Sequence, residues 1–399
     1  MKPLPYTQHD ISEDDIEAVV SVLRGGWLTT GPMVDKFEAA LMEATGASHA
    51  VACSSGTAAL HLAVLASGIG PGDAIVVPTL TFLATANCAR YVGAEVLFAD
   101  VNPDTGLLRP EDVAAAISRA DHHTVRAILP VHLNGQTVDV EGIAAVAQQH
   151  HAVVIEDACH AIGGRHQSTR WPVGACRHTS AATFSFHPAK TVAMGEGGAI
   201  TTNDGRLAAR MREMRSHGMI RNADSFANTA LALAGDGSAN PWYYEMAAPG
   251  FNYRASDLHC ALGCSQLERL AALVEKRAAL VAHYDSAISN RLNGVRPLAR
   301  APDCDPAWHL YVVHIDYEAL GIERAELMNR LAARGIGTQV HYLPVHMQPY
   351  YRDRYGDFEL PGAQRYYERC LSLPLFARMN TDDVDRVVDE LATIANHGQ

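Results

Sequence analysis

Between His49 and Asp157 the chain alternates short unbroken apolar runs with stretches of helical period, and this rhythm constrains its fold most. The runs His49–Cys53, Asp73–Val77, Glu95–Ala99, Val125–Pro130 and Ala152–Glu156 read as strands. They lack the in-out alternation of a half-solvated sheet, so both faces must be covered. Helical stretches at Thr57–Ala66, Thr81–Tyr91, Pro110–Ser118 and Val140–His150 lie between them and supply that cover. The order predicts an α/β fold with a mostly parallel sheet flanked by helices. Two helices precede it. One is opened by the capping box Ser12-Glu13-Asp14-Asp15 and stops at Gly25-Gly26, and the other covers Val34 to Thr45.

After Asp157 the rhythm changes. Strand-like segments Ala181–Phe186 and Gly198–Thr202 flank a loop that carries Lys190. Met219 to Gly250 is rich in Ala, Asn, Gly and Ser, and loops of that length usually serve a site or an interface. A long helix is expected from Ala255 to Asn290, then strand Trp308–Ile315, helix Arg324–Arg334, strand Gly337–Tyr342 and a final helix from Thr381. A large domain over residues 1–255 and a smaller α+β domain over 256–399 fit this pattern.

The 399 residues are 48% hydrophobic and 19% charged, enough to build a sizeable core. A formal net charge of −12 leaves no global basic field for nucleic acid or an anionic membrane. An anionic ligand must therefore be caught by local amides and a few cations. The N-terminus lacks the apolar core of a secretory signal, and no apolar stretch is long enough to span a bilayer. Eight scattered cysteines without a CxxC fit a reduced, cytoplasmic protein, and Cys260 and Cys264 read as core positions, with no metal site expected.

Three segments carry chemistry. Ser54-Ser55-Gly56-Thr57-Ala58 is a small-residue turn entering a helix, whose free amides suit a phosphate, although taken alone the segment reads more readily as a plain N-capped turn. The strand ending in Glu156-Asp157-Ala158-Cys159-His160 places an aspartate where doubly wound sheets bind ligands, and it could partner a cationic ring nitrogen or cap the next turn. Lys190 lies among small residues between two apolar strands, where shielding favours the neutral amine that forms a Schiff base. Ser185 precedes it and could add a hydroxyl to a phosphate site. Together these are the parts that hold pyridoxal phosphate, with Asp157 keeping the ring an electron sink.

The chain also resembles the DegT-type (DegT/DnrJ/EryC/StrS) sugar aminotransferases of the fold type I pyridoxal phosphate superfamily. The resemblance runs nearly end to end, through Gly26-Trp27-Leu28-Thr29-Thr30-Gly31-Pro32, Ser55-Gly56-Thr57-Ala58, Glu156-Asp157-Ala158-Cys159-His160, Phe184-Ser185-Phe186-His187-Pro188-Ala189-Lys190 and Arg215-Ser216-His217-Gly218-Met219. Pro241-Trp242-Tyr243-Tyr244, Gly250-Phe251-Asn252-Tyr253-Arg254 and Val340-His341-Tyr342-Leu343-Pro344-Val345-His346 resemble the branch that aminates a UDP-4-keto-6-deoxy-N-acetylhexosamine for pseudaminic acid. The branch that forms UDP-4-amino-4-deoxy-L-arabinose is similar at Ala307-Trp308-His309-Leu310 and Gly335-Ile336-Gly337-Thr338. Residues 221–240 match neither.

The resemblance implies a two-stage exchange. Glutamate gives its amino group to the cofactor, leaving pyridoxamine phosphate, which then aminates the C4 keto group of the sugar. It makes Lys190 the Schiff-base lysine and proton shuttle, and Asp157 the partner of the pyridine nitrogen. His160 would lie near the ring oxygen and Phe82 would stack on the ring. The amides of Thr57 and Ala58 and the Ser185 hydroxyl would take the phosphate, with Asn252 reaching it from a partner subunit of a homodimer. His341, Tyr342, Arg254 and His217 correspond to positions near the sugar nucleotide. A dehydratase would replace Lys190 by histidine, a non-catalytic regulator would not keep this set, and an amino-acid aminotransferase would need an arginine clamp that the sequence does not single out.

Overall fold

The apolar runs assemble into one seven-stranded sheet in the computed structural model, which describes residues 3–120, 122–166, 170–302 and 304–396. Its strands are β1 (His49–Cys53), β2 (Asp73–Pro78), β3 (Glu95–Ala99), β4 (Thr124–Ile128), β5 (Val153–Asp157), β6 (Ala181–Ser185) and β7 (Gly198–Thr202). Their order is β1-β7-β6-β5-β4-β2-β3. All neighbours from β6 to β3 run parallel, and β7 runs antiparallel to both β1 and β6. Helices cover the sheet. The helix Gly56–Ala66 is apolar nearly all round and almost wholly buried, as a helix enclosed by its neighbours must be.

This topology builds one functional edge. Because β7 is reversed, its first residue, Gly198, lies beside the last residues of β1 and β6, opposite Cys53 and Ser185. A Cβ at Gly198 would sit 2.2 Å from the Ser55 carbonyl oxygen, so only glycine lets the turn after β1 close over this strand. Asp157 ends β5, the middle strand of the sheet, at the same edge.

The first helix forms over Glu13–Arg24 with the expected box, the Ser12 hydroxyl accepting from the Asp15 amide and Asp15 answering at Ser12. The single helix expected from Ala255 to Asn290 is instead two, Asp257–Glu268 and Leu270–Arg291, which meet at Arg269. The Arg269 guanidinium donates to Asp15 at 2.6 Å and to the Asp10 carbonyl at 3.0 Å, so the break ties the first helix and the N-terminal segment to the junction.

After β8 (Met219–Ile220) and β9 (Glu245–Met246), a three-stranded antiparallel sheet joins β10 (Val295–Pro297), β11 (Tyr311–Ile315) and β12 (Cys370–Leu373). The strand expected over Gly337–Tyr342 does not form. Its residues make only the isolated bridge Gln339–Ser372 and then line a cavity, while Cys370–Leu373 takes the place beside β11. The expected strand from Trp308 begins only at Tyr311, because the His309 amide is drawn to the Asn134 carbonyl at 3.0 Å. All eight cysteines are free thiols, Cys260 buried and Cys264 half-buried. No helix among the described residues is long and apolar enough to cross a membrane.

Candidate active site

A cavity of about 580 Å³ opens at the functional edge of the main sheet. Gly56 and Thr57 line it from the start of the helix Gly56–Ala66, whose N-cap is Ser55. A Cβ at Gly56 would meet the Ser185 Cβ at 2.8 Å, so the glycine keeps this cradle open beside the Ser185 hydroxyl. The Ala58 amide donates to Ser55 Oγ at 3.1 Å, and Ala58 is absent from the cavity wall. The two readings of the turn are thus compatible: the Ala58 amide is spent on the cap, and Gly56 and Thr57, which precede it, line the cavity.

Asp157 is buried in the wall, held by two donors. Thr85 Oγ1 donates to Oδ2 at 2.7 Å, and the Cys159 amide donates to Oδ1 at 3.2 Å. Thr81 and Thr85 share a 2.7 Å hydroxyl contact that extends the network. Lys190 projects from the β6–β7 loop, where burial lowers the affinity of its amine for a proton while Cys159 and Asp157 oppose that shift. Among the described lining residues it is the only lysine or arginine.

His160 is fixed on both ring nitrogens. The Asn134 amide donates to Nδ1 at 3.3 Å, which leaves the ring proton on Nε2, facing the Tyr342 hydroxyl at 3.2 Å. Burial, with the charge of Lys190 next, holds His160 well below the usual histidine range, so it is neutral. His309 packs on it at 4.4 Å between centroids and is neutral for the same reasons. His341 contacts Ser372 Oγ through Nδ1 at 2.8 Å and is pushed by burial, then by Lys190, down to about 3. Phe82 is 56% exposed on the cavity wall, its ring 6.3 Å from Tyr342, where a core residue would be covered.

Eight expected residues thus meet in one cavity: Thr57, Phe82, Asp157, His160, Ser185, Lys190, His341 and Tyr342. Asn252, Arg254 and His217 do not line it. Their segment is pinned nearby, because the Ser54 amide donates to the Tyr253 carbonyl at 2.8 Å, and Asn252 and His217 are exposed. Sequence reasoning missed Tyr6, Thr85, Gln339 and His309. Thr85 carried a faint signal as a hydroxyl one helical turn from Phe82. His309 stood in a stretch that carries the family resemblance but drew no role, and Tyr6 carried no signal, because only folding brings the two into the cavity wall with Lys190.

Pyridoxal phosphate fits these residues. An open glycine cradle at a helix N-terminus suits its phosphate, a buried carboxylate suits its ring nitrogen, and a lysine with a lowered proton affinity suits its aldehyde. The adjacent Glu156 points to the opposite face of β5, as strand neighbours do. There it accepts from His132 Nε2 at 2.8 Å, His166 Nε2 at 3.2 Å and Thr179 Oγ1 at 2.6 Å. His132 takes the Val138 amide on Nδ1 at 3.3 Å, so its Nε2 serves as a donor to the Glu156 carboxylate.

The mostly parallel sheet, the reversed β7 and the lysine–aspartate–glycine site define a fold type I, pyridoxal phosphate-dependent aminotransferase. The chain belongs to the DegT/DnrJ/EryC1/StrS aminotransferase family, which matches residues 9–392. It is 39% identical over 394 residues to the spore coat polysaccharide biosynthesis protein SpsC of Bacillus subtilis, covering 98% of this chain and 97% of SpsC. Its fold is similar to that of Helicobacter pylori PseC, an aminotransferase involved in the biosynthesis of pseudoaminic acid. The TM-score is 0.88 at 27% identity, over 99% of this chain and 100% of PseC. Spr1654 of Streptococcus pneumoniae, described as a "putative sugar aminotransferase" and solved in its PLP form, is similar at TM-score 0.85 and 26% identity, with both chains covered to 100%. The protein is a sugar aminotransferase that uses pyridoxal phosphate.

Proposed function

We propose that this enzyme moves the amino group of L-glutamate to the C4 keto group of a UDP-4-keto-6-deoxy-N-acetylhexosamine, forming the 4-amino sugar used for pseudaminic acid. The observation that carries the reading is the end-to-end likeness to PseC around one cavity that holds Lys190, Asp157 and the glycine cradle. Bound pyridoxal phosphate supplies the electron sink that makes amino-group exchange possible. In this reading Lys190 carries the proton between substrate carbon and cofactor carbon in both half-reactions. Asp157, braced by Thr85, orients the ring through its nitrogen, and Phe82 covers a ring face. His160 presents its Nε2 proton on the ring-oxygen side. The Gly56 and Thr57 amides and the Ser185 hydroxyl hold the phosphate, with Asn252 from a second copy of the chain completing that site.

The exposed apolar residues of the 219–250 excursion, Leu231, Trp242, Tyr244 and Met246, support a homodimer, because such surface is costly to leave in water. The higher identity to SpsC favours a second reading, in which the acceptor is another keto sugar bound for a surface polysaccharide. The test is the absorbance of the loaded enzyme. The yellow lysine-bound band should give way to that of pyridoxamine phosphate on adding L-glutamate, and return on adding the UDP-4-keto sugar. Return only with a different keto sugar would select the second reading. Lys190→Ala should keep the fold by circular dichroism, lose the yellow band and lower turnover by about 10³-fold or more. Wild-type turnover in that variant would overturn the assignment.

A further inference from the structure

The loop that follows β4 carries a backbone outlier beside the cavity. Asn134 is wholly buried and holds a left-handed conformation, φ +63° and ψ 0°, inside the short turn Leu133–Gly135. Residues with a Cβ rarely adopt it, and asparagine is among those that tolerate it best. Gly135 continues the kink at φ +99°, where a Cβ would come within 2.0 Å of the Ala307 carbonyl oxygen, so the loop is pressed against the lead-in to β11. One end of the Asn134 side-chain amide donates to the Tyr366 hydroxyl at 3.2 Å, and the other, Oδ1, is buried without a partner among the described residues. A strained backbone and an orphaned oxygen at one residue are costs that a plain turn would avoid, and such costs collect where a site needs the geometry.

What the kink achieves lies in the two peptide groups of Asn134. Its amide donates to His160 Nδ1 at 3.3 Å, and its carbonyl accepts from the His309 amide at 3.0 Å. The two rings so placed pack 4.4 Å apart between centroids in the cavity wall. His160 is neutral and so carries one ring proton. With Nδ1 taken by the amide, that proton is held on Nε2, which faces the Tyr342 hydroxyl at 3.2 Å. Without the amide, the same neutral ring could carry its proton on Nδ1 and turn a lone pair to the cavity. The Tyr342 hydroxyl suits either arrangement, because it can donate or accept, so it does not make the choice.

We propose that Asn134 is the positioning residue that fixes the His160 tautomer, its left-handed backbone aiming one amide at Nδ1 so that Nε2 offers a proton to the cofactor's ring oxygen. This role rests on the pyridoxal phosphate reading of the cavity, with His160 on the ring-oxygen side, and holds for any acceptor sugar. A donor there favours the form in which the oxygen holds negative charge, and so lowers the affinity of the Lys190 linkage for its proton. A lone pair there does the opposite.

The readout is the midpoint pH of the yellow lysine-bound band, taken by absorbance on the full-length enzyme loaded with pyridoxal phosphate and without substrate. Asn134→Val, whose β-branched side chain disfavours positive φ, should raise that midpoint by about one unit, a roughly tenfold higher proton affinity. Asn134→Gly takes positive φ readily and keeps the amide, so it should titrate within about 0.3 unit of wild type, although thermal stability falls with the lost Tyr366 bond. In a His160→Phe background, Asn134→Val should add no further shift, because the effect runs through that ring. A wild-type midpoint in folded Asn134→Val, equal shifts in the valine and glycine variants, or a full shift in the His160→Phe background would overturn the proposal. Asn134→Ala carries the same test if the valine variant fails to fold. Wild type that forms no yellow band would remove the cofactor reading and the proposal with it, whereas a band that titrates alike in every Asn134 variant removes the proposal alone.

Discussion

Asp157 owes its place to a hydroxyl supplied from 72 positions away in sequence. Thr85 Oγ1 donates to Oδ2 at 2.7 Å, and both groups are buried. Thr85→Val keeps the shape and removes the donor, leaving that oxygen unsatisfied at a cost of about 1–3 kcal/mol. Cofactor affinity and both half-reactions should fall about tenfold or more, with Thr85→Ser restoring most of the loss; titration of the apoenzyme with pyridoxal phosphate measures it. Wild-type affinity in Thr85→Val would show that the carboxylate does not depend on this bond. Asp157 and Lys190 were legible in the sequence because their residue types are unusual where they stand, a carboxylate ending an apolar strand and a lysine among small residues, whereas Phe82 came only from the family resemblance, since an aromatic at a helix start otherwise reads as core. Thr85 was not, since a hydroxyl in a helix has many uses until folding brings a carboxylate to it.

At the scale of elements, buried carboxylates join segments that are distant in sequence. Glu156 joins β5 to the segments that carry His132, His166 and Thr179. Burial alone would raise its proton affinity, yet bonds from His132 and His166 outweigh burial and hold it well below the usual range. A folded-state pKa below the unfolded value stabilises the protein above the unfolded pKa and loses that contribution as pH falls through the folded one. Glu156→Gln should therefore cost about 1–3 kcal/mol near neutrality. In denaturant unfolding, that gap from wild type should narrow from about pH 5 downward. A gap that stays constant with pH would show that the carboxylate charge is not what counts. Asp15 works similarly. Burial raises it, but Ser12, Ser265, Gln266 and Arg269 lower it overall, so the residue that caps the first helix also fixes the break at Arg269. The capping box was readable from local spacing. The break was not, because it answers to an aspartate on another helix.

The whole molecule presents an apolar arm that a single copy leaves uncovered. Trp242 is 68% exposed and Met246 60%, and the arm includes the two-residue pairing of β8 with β9 and local bonds such as Tyr243 to Glu245. If the arm seats on a second copy, Trp242→Asp should shift the protein toward monomer in light scattering. It should also lower cofactor retention, because the proposed Asn252 contact crosses subunits. A dimer of unchanged stability would place the interface elsewhere. By itself the sequence determined the order and type of nearly every strand and helix around the main sheet and the cofactor, and it singled out Lys190 and Asp157 as the candidates to hold it. Those rest on side-chain period, capping and turn chemistry that act over a few residues. Tertiary structure alone decided the reversed β7, the replacement of Gly337–Tyr342 by Cys370–Leu373 in the small sheet, and the meeting of Tyr6, Thr85, His309 and His341 around Lys190. These depend on which distant surfaces pack together, a choice made by the burial of the whole core and not by any local signal.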